Sequence, residues 1–154
     1  MIELLRILEA EALSVSRFVE VLKREQVALG QGDVDNLVGF AQDKAAISSE
    51  LATFANRRNS ILAGQGLKAD RSGIEAWLDR QPANSGQRDA WSRIMALASE
   101  ARELNRLNGE LIRIRMQHNT QALEAIQGAT STLSLYGRDG QTTAVLSRRI
   151  NDAA

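Results

Sequence analysis

The sequence predicts an all-α protein, an elongated antiparallel bundle of three long helices and one short helix with a C-terminal tail readable as extended or partly helical. Three observations predict it. The good helix formers Ala, Leu, Glu, Gln and Arg are plentiful, while aromatic residues make up 4% and Pro occurs once. Apolar residues recur every third or fourth position over three long stretches. Glycine pairs or proline separate those stretches.

The longest stretch, Asn84–Gly128, has one interior glycine, Gly109, and no Pro. Ile94, Leu97, Ala101, Leu104, Leu107, Leu111 and Ile114 make one stripe on a helix of period 3.6. A helix from Ser85 to Gln127 would extend roughly 60 Å. A rod that long needs other long helices alongside it.

The first helix is expected over Ile2–Leu29. Leu5, Leu8, Ala12, Val15, Val19, Leu22 and Leu29 form a heptad seam with Gln26 its one polar member, and Glu9, Arg17, Glu20, Lys23 and Arg24 take the opposite face. Gly30-Gln31-Gly32 ends it, because glycine accepts the left-handed geometry that closes a helix. Asp33 is the expected N-cap of a second helix running to about Ala63, with Leu37, Phe40, Ala41, Ile47, Leu51, Phe54, Ile61 and Leu62 inside. A short Gly-rich turn makes these two helices antiparallel neighbours.

Gly64-Gln65-Gly66 closes the second helix. Ser72 and Glu75 read as a capping box opening a short helix with Ile74, Trp77 and Leu78 on one side. Pro82 stops it, and Asn84 with Gln87 reads as a looser cap for the long helix. Trp77 and Trp91 are expected to plug one end of the bundle.

Lys and Arg together number 19, as do Asp and Glu, so formal net charge is zero. That balance offers no electrostatic basis for nucleic acid or an anionic membrane as main partner. With no cysteine, there is no disulfide framework and no thiolate metal site. The N-terminus carries Glu3 and no signal-peptide apolar run, and no stretch reaches about 18 consecutive apolar residues, so no membrane insertion is expected. A soluble cytoplasmic protein is the expectation.

No catalytic set emerges. His118 is the single histidine, and position 115, where a bundle metal site would pair a carboxylate with it, is Arg. It reads as a helix-face residue, leaving no metal and no cofactor expected. The glycine pairs lack both phosphate-loop spacing and a preceding strand. Arg102, Arg106, Arg113 and Arg115 alternate with Glu103 and Glu110, which suits a solvated or ion-paired face. Asn108 falls on the inner stripe, where a polar residue more often fixes helix register than binds a ligand.

After Gly128 the composition shifts to small polar and turn residues, giving domains at 1–128 and 129–154. Asp139-Gly140 suits a tight turn between Leu133–Tyr136 and Thr142–Leu146, and Thr143–Asn151 suits a short amphipathic helix. Burying Leu133, Leu135, Tyr136, Val145, Leu146 and Ile150 would contribute roughly 1.5–3 kcal/mol each. Ordering about 20 residues costs on the order of 1–2 kcal/mol apiece. The ordering cost exceeds what these side chains alone return, so apolar surface from a partner would decide whether the tail orders.

Two blocks, Glu103-Leu-Asn-Arg-Leu-Asn-Gly-Glu-Leu-Ile112 running on through Gln117-His-Asn-Thr-Gln-Ala-Leu123, and Leu135-Tyr-Gly-Arg-Asp-Gly-Gln-Thr142, resemble the FlgN family of flagellar export chaperones. An N-terminal helical pair with a Gly32-Asp33 turn extends the likeness over nearly the whole chain. The resemblance implies an ATP-independent cytoplasmic chaperone that binds hook–filament junction proteins and delivers them to the flagellar type III secretion gate. It implies client binding within roughly 133–150, here Leu133, Leu135, Val145, Leu146 and Ile150. Gate docking would fall on Tyr136 and its neighbours Gly137, Asp139 and Gly140. The alternative from a different class is a coiled-coil adaptor that self-associates through the heptad face of Ile2–Leu29, and homo-oligomerisation stays open under either.

Overall fold

The computed structural model describes residues 2–83 and 85–135, with side chains described through residue 118. Four helices follow one another, α1 (Ile2–Gln31), α2 (Leu37–Gly64), α3 (Arg71–Asp79) and α4 (Gln87–Leu135), and no strand occurs among the described residues. The all-α reading of three long helices and one short one holds. The chain divides into two compact units, residues 1–111 and 112–154.

Glycine ends the first two helices as expected. Gly32 and Gly66 have φ of 73° and 74°, which favours glycine. Each makes the inner bond of a two-bond closure, Gly32 N–H to the Leu29 carbonyl and Gly66 N–H to that of Ala63. The next residue makes the outer one, Asp33 N–H to Ala28 and Leu67 N–H to Leu62, both at 2.9 Å. Leu67 then packs on the core that holds Leu62.

The caps of α2 and α3 depart from expectation, α1 starts at Ile2 as expected, and the expected α4 cap Asn84 lies outside the described residues. Asp33 does not cap α2. Its carboxylate accepts from the Asp35 N–H at 3.2 Å and the Asn36 amide at 2.8 Å, fixing a turn before the helix opens at Leu37. Ser72 does not cap α3 either. Asp70 takes that position, accepting from the Gly73 N–H at 3.0 Å and the Ser72 hydroxyl at 2.6 Å. A carboxylate is the stronger acceptor for these donors, and Glu75 turns to Arg71 instead. The Ser72 hydroxyl, then the Gly73 amide, hold the Asp70 carboxyl below its ordinary pKa.

Within residues 1–111, ion pairs fix the helix directions. From Glu3–Arg57 and Glu11–Arg58, which share one end of α2, they pass through Arg17–Glu50 to Glu25–Lys44, rising along α1 as they descend α2, so the two are antiparallel. Trp91 and Ile94 share a core with Leu4, Leu8 and Ala12, while Ala101 packs with Val19 and Leu22. The start of α4 therefore runs parallel to α1. Trp77 and Trp91 both fill the first of these cores, as expected.

The α1 seam is buried within the chain at Leu8, Ala12, Val15, Val19, Leu22 and Leu29, with Leu5 half-buried. That face is therefore not free for the self-association of the adaptor reading. On α2 only Leu62 is fully buried; Phe40, Ile47, Leu51 and Phe54 are half-buried and Ala41 is exposed. On α4 the seam follows Ile94, Ala101 and Asn108, a strict seven-residue step flanked by Leu97, Leu104 and Leu111. Leu107 and Ile114 lie off that line and are 36% and 42% exposed, against expectation.

Two buried polar groupings each join all three long helices. Arg58 of α2 pairs with buried Glu11 of α1 and lies over the Trp91 ring of α4, 5.4 Å from its centroid. Further along, Asn108 of α4 donates to the Leu22 carbonyl at 2.8 Å and to Glu25 at 2.9 Å. Lys44 of α2 reaches the same Glu25 carboxylate at 2.9 Å.

Candidate partner-binding segment

The residues expected to bind partners fall largely beyond the described part of the chain. Tyr136, Gly137, Asp139, Gly140, Val145, Leu146 and Ile150 lie outside it. Leu133 and Leu135 lie in the last turn of α4, whose backbone stays helical through Gly128. The option of a hairpin strand beginning at Leu133 is thereby replaced by helix. A single glycine costs a helix only about 1 kcal/mol, and the residues around Gly128 are compatible with continuing it. Two positions apart on a helix is about 200° around its axis, so Leu133 and Leu135 do not share one stripe.

Just after residue 111, two of the three apolar residues of α4 are exposed. Ile112 is half-buried, Ile114 is partly exposed, and Met116 is 65% exposed. His118 is exposed, in keeping with a helix-face role. The arginine-bearing face of α4 is ion-paired where its contacts are seen: Arg106 donates to Glu103 at 2.7 and 3.1 Å. That hydrogen bond holds the Glu103 carboxyl below, and the Arg106 guanidinium above, their ordinary pKa values.

Among the described residues no cluster of His, Cys, Asp and Glu could hold a metal ion, and no helix is long and apolar enough to cross a membrane. The clefts are open grooves between helices, such as the one of about 540 Å³ lined by Arg71, Glu75, Arg88 and Met95. Among the described residues none gathers a nucleophile, a base and an oxyanion donor in one place.

The family model described as FlgN protein matches residues 1–144. The chain belongs to the FlgN family. The match takes in the three-helix core, the whole of α4, and Tyr136, Gly137, Asp139 and Gly140, and it ends before Val145. Among FlgN relatives, the flagella synthesis protein FlgN of Yersinia enterocolitica is 31% identical over 134 residues, covering 84% of each chain. That of Salmonella typhimurium is 27% identical over 133 residues, covering 84% of this chain and 92% of its own. The Proteus mirabilis protein is 27% identical over 141 residues, covering 90% and 89%. No solved structure gives a significant match.

Sequence reasoning on this FlgN chain missed the buried acids Glu11 and Glu25. Each sits one residue before or three after a seam leucine or alanine, and a charged residue there reads as flanking. No sequence signal marks them, because their partners Arg58 and Lys44 stand on α2 and meet them only once the helices pack.

Proposed function

We propose that this chain acts in flagellar synthesis as a cytoplasmic export chaperone for hook–filament junction proteins. The observation that carries the reading is the FlgN match over residues 1–144, together with relatives named flagella synthesis proteins. In this reading the three-helix core is a stable holder. The C-terminal region, with Leu133, Leu135, Val145, Leu146 and Ile150, captures an amphipathic terminal segment of the client helix-on-helix. Apolar surface from the client offsets the entropy of ordering the tail. Tyr136 and its neighbours Gly137, Asp139 and Gly140 then engage the export gate. Nothing in this mechanism needs a cofactor, a metal or turnover.

Co-purification from cells producing candidate junction proteins tests it. The full chain is expected to retain the client, and a chain lacking residues 129–154 to lose it while keeping nearly all its helicity and its melting temperature. Undiminished capture by the shortened chain would sink the mechanism.

A further inference from the structure

The face of α1 turned away from the core carries a charge pattern with a centre. At 100° per residue, Arg6, Glu9, Leu13, Arg17 and Glu20 fall within about 80° of one another. Leu13 lies about 180° around the helix from the core residues Leu4 and Leu22. All five are exposed, and Leu13, at 59%, is a large apolar side chain set in the middle of a charged stripe.

Counting outward from Leu13, Glu9 and Arg17 are equidistant, as are Arg6 and Glu20, and Glu3 and Lys23. Each couple has opposite signs. A second copy laid antiparallel with its Leu13 opposite would therefore meet an unlike charge at every one of these positions. Such self-complementarity is what a two-fold contact requires. Two clefts beside the stripe repeat the symmetry. One, of about 500 Å³, is lined by Ile2, Arg6 and Phe54; the other, of about 530 Å³, by Glu20, Val21 and Ile47. They flank Leu13 at matching sequence distances, so the cleft with one more base than acid on its rim would face, in the other copy, the cleft with one more acid than base.

Three members of the pattern already have partners at home, the outermost Glu3 with Arg57 at 3.6 Å and Lys23 with Glu100 at 3.5 Å, and the inner Arg17 with Glu50 at 2.8 Å. Arg6 and Glu9 carry no ion pair among the described residues, and Glu20 has only Lys23 at 3.9 Å. Arg6 against Glu20 is thus the couple with most to gain from a second copy.

We propose that α1 is a self-association surface, packing antiparallel against α1 of a second copy about a two-fold axis at Leu13. The occupant is another copy of this chain, and the surface is opposite the buried heptad seam. The contact is narrow and rich in charge, so association is weak and falls as salt screens it.

The chain has no cysteine, which makes the axis directly testable. In the full chain, Leu13→Cys is expected to form a symmetric disulfide under mild oxidation, since the two sites meet within disulfide reach. Arg24→Cys is expected not to, because its two copies would stand about 33 Å apart along the paired helices. Sedimentation at low salt should show wild type dimerising with concentration, and Arg6→Glu or Glu20→Arg alone weakening this roughly tenfold or more. Either the Arg6→Glu/Glu20→Arg double variant or an equimolar mixture of the two single variants should restore it. Equal cross-linking at positions 13 and 24, a monomeric wild type at low salt, or failure of the double variant to recover would each overturn the proposal. Circular dichroism on every variant checks that these exposed substitutions leave the fold intact.

Discussion

Asn108 reaches across the bundle to Glu25, its amide donating to the carboxylate at 2.9 Å, with both residues almost fully buried at 1% and 2% exposure. The same amide donates to the Leu22 carbonyl, and Lys44 of α2 neutralises the acid. A sliding helix would break all of these at once, so the grouping fixes the register of α1, α2 and α4. Asn108→Ala is expected to lower unfolding free energy by about 2–3 kcal/mol, because Glu25 and a buried carbonyl lose a donor. Asn108→Asp should cost more at neutral pH by setting a second carboxylate against Glu25. Urea midpoints for the two variants measure the order.

This register role was legible in the sequence, since Asn108 interrupts an apolar stripe at a seam position. The helix spans, the glycine stops and the tryptophan core were legible for the same reason: periodicity and backbone chemistry are local. Leu107 was misplaced because a step of three or four cannot tell which of two neighbouring positions, Leu107 or Asn108, lies on the seam; a straight line of sevens from Ile94 decides it. Asp70 displaced Ser72 as cap because both can cap and the choice depends on where the chain after Leu67 turns. Buried Glu11 and Glu25 were not legible, because a paired acid is recognised only once its partner helix is in place.

Arg58→Met should expose the cost of a lone buried acid. Glu11 would lose its counter-charge and Trp91 its overlying cation, for a loss of about 3 kcal/mol. Replacing Glu11 as well, in Glu11→Leu/Arg58→Met, is expected to recover much of that, since no uncompensated charge remains. A double-mutant cycle by chemical denaturation reads the coupling; simple additivity would show that the two groups do not act as a pair.

Gly73 is required by space, not by backbone angle. A Cβ there would stand 1.8 Å from the Lys68 carbonyl oxygen, in the loop that the α3 cap holds against the helix. Gly73→Ala is expected to cost about 1–3 kcal/mol as that backbone is pushed away. Gly109→Ala, at a helical site with open space around the added methyl, is expected to stabilise by up to about 1 kcal/mol. Opposite shifts of melting temperature in the two variants check the pair.

The α3 cap also predicts a pH dependence. The Ser72 hydroxyl and Gly73 amide depress the Asp70 pKa in the folded protein, so its contribution is present above the ordinary carboxylate range. It is lost as pH falls through the lowered folded value. Asp70→Ala should therefore melt below wild type at neutral pH, and the gap should close in acid. A gap that stays constant from neutral to strongly acidic pH would show that the carboxylate does not act as the cap.

In the proposed function, docking and folding part at Tyr136. It follows the last turn of α4 and falls within the residues matched to the FlgN family. The three-helix core is built from residues before 112, so Tyr136→Ala is expected to leave far-UV circular dichroism and melting temperature unchanged. Capture by the cytoplasmic domain of the export gate should fall, because an aromatic side chain commonly supplies a large share of the energy of such contacts. Client capture should persist if gate docking and client binding use different parts of the tail. Equal recovery of variant and wild type on immobilised gate domain would remove Tyr136 from the docking role while leaving the client-binding reading to its own test.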